Sequence, residues 1–288
     1  MVMDPDRWPR FTWSIKPYLK LSTFNADGGV PYELGAQAEG SYEIRPGLLV
    51  SGTIQQRLIG NMEAREPGEL TAPYRVRSDS RLYAGNDGPV LQKLTLAWYA
   101  KPAEAVYTRV TFGILERMYG GVSTEVLWKP VQSRLALGAE IARVRKRDYD
   151  LGFSFQDYEV TTGFVSAYYD FGGGYLAQLD AGRYLAQDWG ATLTLTREFA
   201  NGWKVGAYVT KTDLSEEEFG EGSFDKGVTI SVPVSWALGE PSRNTVGGTL
   251  RSLVRDGGAK LQVDDRLYEV IHDSDGGKLY QGWGKFWR

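Results

Sequence analysis

Alternation with a period of two residues runs through this chain from residue 11 to about residue 237, and no other feature limits its fold so tightly. In TLTLTREFANGWKVGAYVTKTD, residues 192–213, one set of alternate positions carries Leu193 and Leu195 and then, across an Asn-Gly turn, Trp203, Val205, Ala207 and Val209. The other set carries Thr192, Thr194, Thr196 and Glu198, then Lys204, Tyr208, Thr210 and Thr212. Successive side chains of a strand point to opposite faces, so the stretch predicts a hairpin with one apolar and one polar face. Residues 11–23 repeat the pattern, with Phe11, Trp13, Ile15, Leu19 and Leu21 set against Thr12, Ser14, Lys16, Tyr18 and Lys20. Further strands are expected at 31–44, 47–58, 89–101, 104–117, 121–129, 133–145, 158–171, 174–184, 188–199, 202–213 and 225–237. That makes about twelve, several of them ten residues or longer. Strands of soluble sheets usually run about five or six residues, whereas crossing a bilayer at a tilt takes about 9–11.

The connections favour the second setting. Turns after the even strands are short: RPG at 45–47, KPAE at 101–104, KPVQS at 129–133, GGG at 172–174 and ANG at 200–202. Those after the odd strands are mostly longer and more polar, above all 59–88, then 146–157 and 213–224. Short turns on one side and long loops on the other are the asymmetry of outer-membrane barrels. Aromatic side chains gather at the short-turn end: Trp13, Trp98, Trp128, Phe171, Phe199, Trp203 and Trp236 form one expected girdle, joined by Tyr42, Tyr107 and Tyr175. Tyr119, Tyr158, Tyr184 and Trp189 are the expected second girdle.

Alternation alone does not say which face is inside. Strand length, loop asymmetry and the aromatic belts favour an apolar face toward lipid, with Leu193, Val205 and Ile230 pointing outward. The expected fold is therefore all-β: a closed antiparallel up-and-down transmembrane barrel of about twelve strands over residues 1–237, closed because open edges in hydrocarbon leave unpaired backbone groups. Residues 238–288 break the pattern and are expected to form a periplasmic tail with short helices, docked at the barrel mouth. An even strand count would leave both termini periplasmic. The expected lining is Lys16, Glu39, Arg57, Lys93, Arg109, Glu125, Glu140, Asp180, Lys204 and Tyr208. Charges of both signs fit either a lumen closed by salt bridges or a wet passage.

Composition removes several other classes. With no cysteine among 288 residues, disulfides and thiolate chemistry are excluded. A net charge of -3 gives no nucleic-acid footprint. No apolar run is long enough for a transmembrane helix. MVMDPDRWPR lacks the apolar centre of a signal peptide, so the chain is expected to be a mature form or a piece of a longer one. The single histidine, His272, has no second His or Cys nearby, so neither a metal nor a cofactor is expected. DYDLGFSFQD at 148–157 lacks the glycine and terminal glutamate of a calcium loop. RVRKRDYD at 143–150 is either a solvated loop base or a contact for anionic lipopolysaccharide.

Several stretches carry a family resemblance: ERMYGGVSTEVLWKP (116–130), LALGAEIARVRKRDYD (135–150), GRYLAQDWGATLTLTREFANGWKVGAY (182–208), EEFGEGSFDKGVTISVP (217–233) and LRSLVRDGGAKL (250–261). Together they resemble the YjbH/GfcD-type family of exopolysaccharide and capsule proteins. The resemblance implies an outer-membrane barrel, the C-terminal portion of a longer protein, that assists polysaccharide synthesis and export without enzymatic activity. Channel, scaffold and docking partner all fit such a role, and lipopolysaccharide, polysaccharide and other export components are the implied partners. Two alternatives remain: an enzyme on lipid or glycan using Glu140 with Asp180, and a small-solute pore. A polysaccharide path would use Tyr18, Tyr99, Tyr107, Tyr168 and Tyr208.

Overall fold

A computed structural model describes residues 10–21, 31–62, 74–84, 88–215, 224–233, 245–251 and 256–273. The strands are β1 (Phe11–Leu21), β2 (Tyr32–Arg45), β3 (Leu48–Gly60), β4 (Val90–Ala103), β5 (Val106–Ile114), β6 (Tyr119–Trp128) and β7 (Leu135–Arg147). They continue as β8 (Phe155–Gly172), β9 (Tyr175–Arg183), β10 (Trp189–Glu198), β11 (Lys204–Thr212), β12 (Asp225–Pro233) and β13 (Thr245–Arg251). Among the described residues one α-helix, α1 (Leu267–Asp273), follows, and a 3₁₀ turn covers Ser80–Tyr83. Each strand pairs antiparallel with the next, giving a single up-and-down sheet of 13 strands.

The twelve expected strands are all present, with ends shifted by a few residues. The thirteenth is a correction. β13 lies in the region assigned to a periplasmic tail, where Gly247 and Gly248 interrupt the alternation that would have revealed it. The odd count matters for the edges: odd strands all run from the short-turn end to the long-loop end, so β1 and β13 point the same way. Among the described residues no ladder joins β1 to β13.

The connections at 46–47, 104–105, 129–134, 173–174 and 199–203 share one end of the sheet. At the opposite end two connections, 115–118 and 184–188, are also tight, contrary to the expected contrast, while 61–89, 148–154 and 213–224 are longer. In the opening hairpin Leu193 faces Val209 and Glu198 faces Lys204, with Gly202 in the left-handed region at φ 85° to make the turn.

Apolar side chains of one face stand exposed across the sheet: Ile15, Ile54, Leu96, Phe112, Ile141, Val165 and Leu179. Leu193, Val205 and Ile230 are 41%, 36% and 37% exposed, so they do not meet in a packed centre. The polar face is where the protein packs. At the long-loop end Val76 and Tyr83 from the β3–β4 connection join Leu115, Tyr119, Val144, Val160 and Leu185, and Ala259, Leu261 and Val263 complete the cluster. At the short-turn end Leu267 and Tyr268 of α1 pack on Leu127, Ala136 and Tyr168. Burying each large side chain contributes about 1.5–3 kcal/mol. Residues 256–273 thus cross the polar face from one end of the sheet to the other, which replaces the expected docking at the mouth alone.

Candidate functional site

The site is the charged face of β4–β9 with residues 256–273 laid along it. Register brings its side chains together. Arg109 of β5 stands opposite Glu125 of β6, and Glu125 stands opposite Glu140 of β7. Like charges facing each other across strands are destabilising, so two adjacent carboxylates need cations on both sides. Arg109 supplies one, with Nη2 3.1 Å from Glu125 Oε2, and Arg266 supplies the other, with Nε 2.8 Å from Glu140 Oε2. Both groups of the Arg109–Glu125 pair are almost fully buried, at 0% and 4% exposure. Arg109 Nη1 also donates to Asp264 O at 2.9 Å, the Leu267 amide donates to Glu125, and Ser123 donates to Glu140 at 3.1 Å.

Two further pairs extend the row. Lys260 Nζ lies 2.8 Å from Asp180, which also accepts from Ser166 at 2.5 Å, and Lys93 Nζ lies 2.6 Å from Asp264. A buried charge is tolerated when it is paired and its remaining hydrogen-bonding capacity is met. The chain pairs each of these charges with its own residues and leaves Arg109 Nε as a buried donor without a partner.

The ends of this crossing segment are tied down. Near the long-loop end the Asp256 carboxylate accepts the backbone amides of Val76, Arg77 and Ser78 at 2.8, 2.7 and 2.9 Å. Three successive amides aimed at one oxygen form an anion nest, here filled from within the chain. Arg77 bridges the same region, 2.8 Å from Glu116 and donating to Lys260 O at 2.9 Å. Asp188, in the β9–β10 connection, accepts the Gly258 amide at 2.8 Å. Burial pushes the Asp188 carboxyl above the ordinary aspartate range, only partly offset by that hydrogen bond. At the other end Tyr268 stacks on Tyr168 with ring centroids 3.9 Å apart, and His272 stacks on Tyr268.

Of the ten expected lining residues, Lys93, Arg109, Glu125, Glu140 and Asp180 meet this segment. The other five do not. Lys16 pairs with Glu39 at 2.8 Å and Lys204 with Glu198 at 3.6 Å, all four partly open to solvent. Arg57 donates to the carbonyls of Gly60 and Met62, and Tyr208 to Asp225 at 3.1 Å. Tyr18 and Tyr208 lie flat over the cross-strand glycines Gly35 and Gly227, where a Cβ would come within 2.6 and 2.5 Å of the rings. Of the tyrosines expected along a glycan path, Tyr99, Tyr107 and Tyr168 are instead part of the packed cluster around α1.

The YjbH family model, described as "Exopolysaccharide biosynthesis protein YbjH", matches residues 3–273. The chain belongs to the YjbH family. A curated YjbH relative, the uncharacterized lipoprotein YjbH of Escherichia coli strain K12, is 34% identical over 92% of this chain. The chain spans only 39% of that YjbH relative's length. Among solved structures, Salmonella typhi OmpF in complex with daunomycin superposes at a TM-score of 0.42 over 89% of this chain and 90% of that one, at 10% identity, a likeness too distant to argue from.

Within this YjbH chain the aromatic expectations divide. Trp13, Trp98, Trp128, Phe171 and Phe199 are exposed near the short-turn end, Trp203 is half-buried, and Trp236 lies outside the described residues. The second girdle is a correction. Trp189 is exposed, but Tyr119 and Tyr184 are buried and Tyr158 half-buried, because their hydroxyls turn to the polar face: Tyr119 donates to Val76 O and Tyr158 to Leu185 O. The basic run divides by face too. Arg143 and Arg145 are exposed, whereas Lys146 bonds Asp79 and Arg147 is buried against carbonyls of Leu91, Arg117 and Gly152. In the 148–157 loop, Asp150 accepts from Gly152 and Ser154.

Proposed function

We propose that this chain is a non-enzymatic outer-membrane β-barrel that assists exopolysaccharide or capsule production and export, as channel, scaffold or docking partner, with both termini periplasmic because residues 256–273 return the chain from the long-loop end, where β13 leaves it, to the short-turn end. The observation that carries this reading is the division of the sheet's two faces: exposed apolar side chains on one, packed and paired charges on the other. In water an apolar face of this extent is unstable. In a bilayer it is the required outer surface. Hydrocarbon also demands closure, because each unpaired backbone group there costs several kcal/mol. With 13 strands, direct closure would join β1 and β13 in parallel, and barrels with an odd count exist.

Exposed Arg145, beside Arg143 and its partner Glu159 at the long-loop end, suits contact with lipopolysaccharide phosphates, and the other partners in this reading are the polysaccharide and further export components. The pairing of Glu140 with Arg266 and Asp180 with Lys260, rather than with each other, supports a non-enzymatic role. A general pore is disfavoured by a segment that runs along the polar face of β4–β9 from one end to the other.

The test is heat-modifiable migration of the detergent-extracted chain, combined with assay of secreted polysaccharide in cells carrying Glu140→Gln and Asp180→Asn. The reading expects faster migration of the unboiled chain and preserved secretion. A chain that stays soluble without detergent would overturn the barrel, and abolished secretion with the fold intact would favour the enzyme.

A further inference from the structure

The polar face holds a second charged hollow, away from residues 256–273, at the long-loop end of β1–β4. Tyr18, Glu33, Gln55, Arg57, Gln92 and Arg117 line it, and it opens to solvent. The one carboxylate is already satisfied: Glu33 accepts from Tyr18 Oη at 2.7 Å and lies 3.1 Å from Lys20 Nζ. The two guanidinium groups have only carbonyl partners. Arg57 donates to Gly60 O at 2.6 Å and Met62 O at 3.3 Å, and Arg117 donates to Tyr83 O. Among the described residues neither arginine forms an ion pair.

With Lys20, three cations therefore surround a single carboxylate. Burial pulls Arg117 below the ordinary guanidinium range, with Glu33 opposing the effect, as expected of a charge removed from water without a counter-ion of its own. Two neutral groups in the same hollow are also unfilled: the buried Gln92 Nε2 and Gln55 Oε1 make no hydrogen bond. A guanidinium fork matches a carboxylate or phosphate, and an amide donor and acceptor suit hydroxyls.

We infer that this hollow binds an acidic sugar unit of a polysaccharide, with Arg57 and Arg117 holding its anionic group and Gln55 and Gln92 its hydroxyls. That the sugar belongs to an exported chain rests on the function proposed above. The anion site rests on the side chains alone. Lipopolysaccharide carries sugar phosphates of the same chemistry, so the test separates the two sources.

The full 288-residue chain, folded in detergent, is titrated calorimetrically with a glucuronic-acid hexasaccharide, a neutral dextran hexasaccharide and lipid A. The acidic hexasaccharide is expected to bind, to weaken about tenfold or more in Arg57→Gln and in Arg117→Gln, and to recover partly in Arg57→Lys and Arg117→Lys. Binding of the neutral oligomer, at whatever level, should be the same in all variants. Equal affinity of wild type and both Gln variants for the acidic sugar overturns the site. Arginine-dependent binding of lipid A alone overturns the polysaccharide assignment. Each variant is also checked for heat-modifiable migration: if that is normal and acidic sugar does not bind, the site is wrong but the barrel stands. Absent migration in the wild type removes the barrel instead.

Discussion

The polar face of β4–β9 and the polar faces of the flanking strands are built from the same residue types and behave differently. In the middle, Arg109–Glu125, Lys260–Asp180 and Arg266–Glu140 are shut away beneath residues 256–273. On the flanks, Lys16–Glu39 and Lys204–Glu198 keep about a third of each side chain open to solvent. The comparison teaches that burial, not charge content, decides what a pair does. A buried pair punishes removal of one partner, because the other charge is left desolvated; a wet pair contributes little. It also explains why one half of this face is a core and the other is free to meet a ligand.

The contrast is broken most directly at Arg109. Arg109→Ala should lower stability by about 3–5 kcal/mol, read as a fall in the urea midpoint of the folded band on gels. A loss below about 1 kcal/mol would mean that water reaches Glu125. Next in size is the latch. Asp256→Ala strands three amide donors and should cost about 2 kcal/mol, visible as faster hydrogen exchange at Val76, Arg77 and Ser78 while β10–β12 amides stay unchanged.

Asp188 sharpens the comparison through pH. Its carboxyl is held above the ordinary range by burial, so the fold favours the protonated form. The stabilising contribution is complete below the ordinary aspartate range and is lost as pH rises through the raised value. Asp188→Asn keeps an oxygen for Gly258 and removes the charge, so it should raise stability at neutral pH by no more than about 1 kcal/mol and flatten the mildly acid part of the pH profile. Smallest is the flank: Lys16→Gln should change stability by less than about 1 kcal/mol and lose even that in high salt.

The strands were legible because each one writes its two faces into alternate residues, and the short turns, with Gly202 in ANG the plainest case, mark where they fold back. Residues 256–273 were not. Ala259, Leu261 and Val263 alternate with Lys260, Gln262 and Asp264 over too short a run to stand out, and the partners Asp180, Lys93 and Glu140 lie far away in sequence. One signal was present all the same. Folding β6 and β7 about the KPVQS turn sets Glu125 opposite Glu140, two like charges that demand a cation from outside the hairpin. The tyrosines misled for a related reason, since Tyr119, Tyr158 and Tyr184 flank the loop end as girdle residues would but carry hydroxyls that are satisfied on the polar face, by the carbonyls of Val76 and Leu185 and by the Thr192 hydroxyl.

The central claim is that the apolar face meets lipid while the chain packs its own segment on the other face. The native chain lacks cysteine, so single nitroxide labels at Leu193→Cys, Val205→Cys and Ile230→Cys in reconstituted bilayers report on it without background. The account predicts strong relaxation by oxygen dissolved in the bilayer and weak relaxation by a water-soluble nickel complex at all three sites. Labels immobilised and shielded from both reagents would place these residues in a packed interior and contradict it.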